Sequence, residues 1–194
     1  MRKLKITFNA PVTLTFSLIC LVATSLGMLF GEKFTQLFFV TYHSSLSNPM
    51  TYVRLFTHVF GHGSWSHFLS NITYILLLGP LLEEKYGSTR ILEVIGITAV
   101  VTGMVNYWLF PDAGLLGASG VVFAMILLAS FTSFKAGEIP ITFILVAVIF
   151  IGQQIYQGIF VQDQISNMAH IVGGIIGAVA GYFLNKTAND HEAE

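Results

Sequence analysis

At 194 residues the chain is about one domain long. It is 54% hydrophobic and only 10% charged, with 17 Phe and 18 Gly, which excludes an ordinary soluble domain. The formal net charge of −1 gives no sign of a nucleic-acid partner, and a lone cysteine, Cys20, excludes a disulfide within the chain.

About 20 apolar residues of helix cross a hydrocarbon core of about 30 Å. Uncharged runs occupy residues 6–31, 68–82, 94–111, 113–134, 139–162 and 164–185. Backbone in lipid must satisfy its own hydrogen bonds, so these runs are expected to be helices. The expected architecture is an all-α polytopic membrane protein, a single six-helix domain over 1–194. Its N-terminal segment is 1–10 and its spans are 11–31, 67–84, 90–110, 115–134, 139–160 and 165–185, with a tail at 186–194.

The first run follows Met-Arg-Lys-Leu-Lys, which resembles a signal-peptide start. Its apolar part, 11–30, exceeds a typical signal h-region and is taken as an uncleaved span. The loop 32–66 is much the longest connection. Its stretch 34–42 is too aromatic for a solvated loop and too polar for a span, as expected of a segment lying in the interface. With the N-terminus inside, the inner segments hold Arg2, Lys3, Lys5, Lys85, Arg90, Lys135 and Lys186, and the outer ones only Lys33 and Arg54. That bias predicts cytoplasmic termini and even-numbered spans running from outside to inside. Glu83 and Glu84 fall in the inner connection, and Glu93 lies where it can pair with Arg90 at i,i+3.

His67 opens the second span, Ser119 lies near the start of the fourth, and His170 near the start of the sixth. Ser119 and His170 each follow an acidic residue of an outer connection, Asp112 and Asp163, by the same interval. At about 1.5 Å rise per residue each lies roughly 10 Å along the chain from it. A hydroxyl and an imidazole at one depth on separate helices can form an activated nucleophile. His67 and Asn71, at i,i+4, share a helix face and can donate hydrogen bonds to an oxyanion. The free N–H groups at the start of the fourth helix can add the backbone N–H of Ser119. No carboxylate is placed to complete a triad, since Asp163 belongs to the outer loop and Glu83 to the other face. The residues point to a Ser–His dyad.

Other readings of the same residues stay open at this point. Gly117-Ala-Ser-Gly120 is also what close helix packing requires, as are Gly173, Gly177 and Gly181 at four-residue intervals on the sixth span. Phe123, one turn after Ser119, can stack on an imidazole or simply fill space. His58 and His62 have the i,i+4 spacing of metal ligands but no carboxylate or thiol beside them, so a structural role in the outer loop is expected. No cofactor or metal is expected. Gly117-Ala-Ser-Gly-Val121 departs from the Gly-x-Ser-x-Gly elbow at Val121, and no strand precedes it, which excludes a soluble hydrolase fold.

At these residues the chain resembles the rhomboid intramembrane serine proteases, in the six-helix bacterial form. RLFTHVFGHGSWSHFLSNI carries the His-x-x-x-Asn motif at His67 and Asn71, GASG carries Gly-x-Ser-Gly at Ser119, and AHIVGGIIG carries Ala-His-x-x-Gly-x-x-x-Gly at His170, Gly173 and Gly177. The resemblance implies Ser119 as nucleophile, His170 as general base, and an oxyanion hole from His67, Asn71 and the Ser119 N–H. Gly117, Gly120, Phe123, Gly173, Gly177 and His62 would support it. It also implies transmembrane substrates cut near their outer end, a bacterial cell-membrane location, and a gate at the fifth helix with loop 162–167. Two positions depart from the family pattern: Val53-Arg54 stands for a Trp-Arg pair, and Phe123 for a tyrosine. The rivals are a rhomboid-like protein that binds membrane clients without cutting them, and a small transporter. The retained Ser and His argue against the first, and the absence of an inverted repeat against the second.

Overall fold

Prolines and glycines punctuate the chain into helices, seen in a computed structural model that describes residues 7–132, 138–160 and 164–192. Among these residues the elements are α1 (Pro11–Phe30), α2 (Glu32–Phe39), α3 (Pro49–Thr57), α4 (Trp65–Tyr86), α5 (Ser88–Leu109), α6 (Ser119–Ser130), α7 (Ile141–Phe160) and α8 (Gln164–Glu192). No strand occurs among them, only an isolated antiparallel bridge between Thr41 and Leu115. Arg2, Lys3, Lys5, Lys135 and Asp163, used above to orient the chain and set depth, lie outside the described residues.

Among the described residues three helical stretches are long and apolar enough to cross a membrane: Pro11–Phe30, Ser88–Leu109 and Asn167–Asn185. That is fewer than the six spans expected. α4 has the length but carries His67, Asn71 and a charged last turn at Glu83, Glu84 and Lys85. α6 has only 12 residues, and the apolar part of α7 is also short. Leu77, Leu92, Ile97, Leu145, Val148, Ile149 and Phe183 all expose more than half of their surface. A soluble domain would not display so much apolar surface.

α6 is apolar all round, as befits a helix with no solvent face. Val121, Ala124 and Leu128 are fully buried, and α4, α5, α7 and α8 all pack against it. Its closest partner is α8. A methyl on Gly173 would overlap the carbonyl oxygen of Gly120, and one on Gly177 that of Ala124. The glycine stripe thus lets two backbones touch.

Glu83, within the expected span 67–84 although its charge was assigned to the inner connection, lies inside α4, buried with 6% of its surface exposed. Its carboxylate accepts the N–H groups of Val12 (3.2 Å) and Thr13 (2.6 Å), the Thr13 hydroxyl (2.6 Å) and the Ser88 hydroxyl (2.8 Å). An anion therefore satisfies the orphan donors of the first turn of α1 and ties it to α4 and α5. Arg90 and Glu93 pair at 2.8 Å on the surface of α5.

The long connection holds α2 and α3, anchored by a buried cation. Arg54 is only 1% exposed. Its guanidinium lies 4.4 Å from the Tyr42 ring centre and donates to Ser44 Oγ at 2.9 Å. A cation over a ring face is attracted by the ring quadrupole. The chain lacks the Trp of the family pair and holds the loop with the Arg.

Candidate active site

The segment entering α6 is fastened from the outer loop at successive residues. Thr41 and Leu115 exchange backbone hydrogen bonds (3.1 and 2.9 Å), Gly117 N–H donates to His58 O (2.9 Å), and Ala118 N–H donates to His62 Nε2 (3.4 Å). Because His62 Nε2 accepts, its Nδ1 carries the proton of the neutral ring and donates to Thr24 Oγ1 at 3.2 Å. His58 Nδ1 donates to Arg54 O at 3.3 Å, and its Nε2 faces Thr102 Oγ1 at 3.2 Å. Both rings engage the protein itself at each nitrogen. Both are pushed down to a pKa of about 4 by burial, and the neighbouring His67 adds to the effect on His62.

Gly117 adopts φ +120°, a conformation L side chains rarely adopt. A methyl there would meet the His67 ring at 2.6 Å (Cε1) and 2.8 Å (Nε2), and would lie 3.8 Å from Asn71 Nδ2. The turn before α6 thus brings its backbone against His67 and Asn71 of α4. Ser64 sets their register: its hydroxyl caps α4 by accepting the His67 N–H at 3.1 Å. The His67 ring packs edge-on against His62, with centroids 5.0 Å apart. Asn71 Nδ2 is buried and has no hydrogen-bond acceptor among the described residues, a costly state for an amide.

Ser119 is the first residue of α6, where backbone N–H groups lack intrahelical acceptors. Across from it α8 presents His170, and Gly120 lies against Ala169, so the two helices meet beside both residues. Phe123, one turn after Ser119, packs on the His170 ring at 4.3 Å between centroids and 41° between planes. Phe150 of α7 packs in turn on Phe123 at 4.3 Å. Ser119, His170, His67 and Asn71 all line one cavity of about 520 Å³. Its walls are α4, α6, α7 and α8, with Tyr74 on one side and Val146 and Ile149 on the other.

One further residue, not among those expected from the sequence, touches His170. Gln154 of α7 is 2% exposed, and its Oε1 lies 2.9 Å from His170 Nδ1. The signal was the amide pair Gln153-Gln154 inside an otherwise apolar run, since polar groups within spans turn to the interior. Of the expected gate, residues 162 and 163 lie outside the described residues, and 164–167 are the first residues of α8.

The chain matches the family model of the rhomboid domain over residues 49–187. It is 27% identical over 175 residues to the Rhomboid protease GlpG of Yersinia pestis (strain Pestoides F), covering 89% of this chain and 62% of that protein. The Rhomboid protease GlpG of Yersinia pseudotuberculosis serotype O:3 (strain YPIII) gives the same figures. Rhomboid-related protein 1 of Caenorhabditis elegans is 27% identical over 150 residues, 73% of this chain and 42% of that protein. The chain therefore spans less than two thirds of the length of these relatives. Its domain match and its long apolar helices lead to one conclusion: this is an integral membrane protein that belongs to the rhomboid family.

Proposed function

We propose that the chain is an intramembrane serine endopeptidase that cuts membrane-protein substrates near the outer end of a transmembrane segment. In this reading all six apolar runs cross the bilayer, both termini are cytoplasmic, and the site opens toward the outer face of a bacterial cell membrane. The observation that carries it is the shared cavity: Ser119 and His170 open into the same space as a buried Asn71 amide that has no acceptor among the described residues. The names of the relatives, which call them rhomboid proteases, support the same activity.

The chemistry follows from the groups. His170 accepts the Ser119 proton as the oxygen attacks the scissile carbonyl. The oxyanion receives the Ser119 N–H, the Asn71 amide and the His67 ring, donors aimed at charge that develops only during reaction. His170 then protonates the leaving amine, and water hydrolyses the acyl-enzyme with His170 again as base. Water reaches the seryl ester through the polar part of the cavity. A substrate helix enters beside α7, where Val146 and Ile149 form the apolar wall. Loss of its helical hydrogen bonds near the interface exposes the carbonyl.

A serine-directed phosphonate tests the nucleophile. Wild type is expected to be labelled on Ser119, with labelling lost in Ser119→Ala and slowed at least a hundredfold in His170→Ala. Equal labelling of all three proteins would remove the dyad.

A further inference from the structure

A hydrolytic dyad needs its imidazole in one tautomer: the nitrogen facing the serine must hold a lone pair, so the other must hold the proton. In a triad a carboxylate enforces this. Here the partner on His170 Nδ1 is the side-chain oxygen of Gln154, at 2.9 Å. A carboxamide oxygen can only accept. Nδ1 is therefore the protonated nitrogen and Nε2 carries the lone pair.

The surroundings hold that amide in place. Gln154 and Phe150 stand at i,i+4 on one face of α7 and are buried, 2% and 7% exposed, whereas Gln153 is exposed. Phe150 packs on Phe123 and Phe123 on the His170 ring. The imidazole is fixed by a ring on its face and an acceptor at its edge, and α7 supplies the acceptor. An amide buried in an apolar helix is costly without a partner, so packing and polarity both direct Gln154 to His170.

We propose that Gln154 is a positioning residue of this site, the uncharged counterpart of a triad carboxylate. It keeps His170 in the Nδ1–H form and turns Nε2 toward Ser119. The inference rests on the dyad reading above. Gln154 takes no proton: the serine proton moves to Nε2 and from there to the leaving amine, while Nδ1–H stays on the ring throughout. Being neutral, the amide orients the ring but offers the imidazolium only a dipole. α7 would thus couple the cavity wall to the base, since any displacement of α7 carries the acceptor with it.

The test uses the full chain in liposomes with a transmembrane reporter, and measures kcat and KM from about pH 5 to 9. The titratable groups facing the same cavity are His67 and Tyr74 of α4; α6 and α7 present none there among the described residues. Gln154→Met keeps the bulk and loses the acceptor. It is expected to lower kcat roughly tenfold to a hundredfold with KM unchanged, as misorientation of a catalytic base does. Gln154→Glu keeps an acceptor and adds charge. It is expected to recover the alkaline rate and to move the acid limb of kcat up by roughly one to two pH units, because a carboxylate stabilises the imidazolium. A role in packing alone would leave kcat intact in Gln154→Met and the acid limb unmoved in Gln154→Glu, and either result overturns the proposal. Should Gln154→Met fail to fold, the acid limb of Gln154→Glu decides alone. Ser119→Ala separates the two claims. If it cuts like wild type, the dyad and the Gln154 role fall together; if it is inert while Gln154→Met is fully active, only the Gln154 role falls.

Discussion

Gly117 shows how much of the site depends on one missing methyl. Its φ of +120° and the closeness of the His67 ring both demand glycine. Gly117→Ala is expected to lower cleavage at least tenfold by displacing His67 or the Ser119 backbone, with far-UV circular dichroism unchanged. Asn71→Ala removes one donor to the oxyanion. The expectation is a loss of kcat of about a hundredfold with KM little altered, measured by reporter cleavage; a rise in KM alone would assign Asn71 to substrate binding instead. His67, Asn71, Ser119 and His170 were legible in the sequence because each sits at a motif spacing near the start of an apolar run. Gln154 was not. Gln153 and Gln154 are adjacent, and which one turns inward depends on the rotation of α7, fixed by Phe150 packing on Phe123.

At the scale of elements, the α6–α8 contact carries the site because Ser119 and His170 stand on its two sides. Gly177→Val would push a branched side chain against the Ala124 carbonyl. Overpacking of this kind costs about 1–3 kcal/mol, so the thermal transition in detergent should fall by several degrees and activity with it. The glycine stripe announced this contact in the sequence, and α6, apolar all round, announced its burial. The attachment of the outer loop was not legible, because it rests on long-range contacts of Arg54, His58 and His62 whose partners no spacing reveals. Those histidines also set a pH dependence. Unfolded, each ring gains a proton below about pH 6.5; folded, burial holds the pKa near 4. The unfolded chain thus binds more protons between these values, and stability present above about pH 6.5 is lost as pH falls toward 4. A protonated His62 would also turn an N–H against the Ala118 N–H. The thermal transition is expected to drop between about pH 7 and pH 5, and less so in His58→Asn; a transition that rises over this range would contradict the assignment.

For the whole molecule, an apolar exterior surrounds a cavity with polar groups at one end. Among the described residues three helices meet the length and hydropathy of a span; α4 falls short because its polar residues line the cavity or form the Glu83 cluster that ties it to α1 and α5. These polar positions lower the hydropathy of α4, which is why the six-span expectation outruns what length and composition alone support. Single cysteines placed at residues 44 and 86 in a Cys20→Ala background test the orientation. With cytoplasmic termini, a membrane-impermeant thiol reagent added to intact cells labels position 44 and not position 86. In the proposed reaction Ser119 and His170 together hydrolyse a peptide bond within the membrane. Its most direct measurement is cleavage of a transmembrane reporter in liposomes by purified wild type, Ser119→Ala and His170→Ala, with the product mapped by mass spectrometry. Wild type is expected to make one cut near the outer end of the reporter segment, with a loss of at least a thousandfold in both variants. Undiminished cleavage by either variant would contradict the proposed reaction.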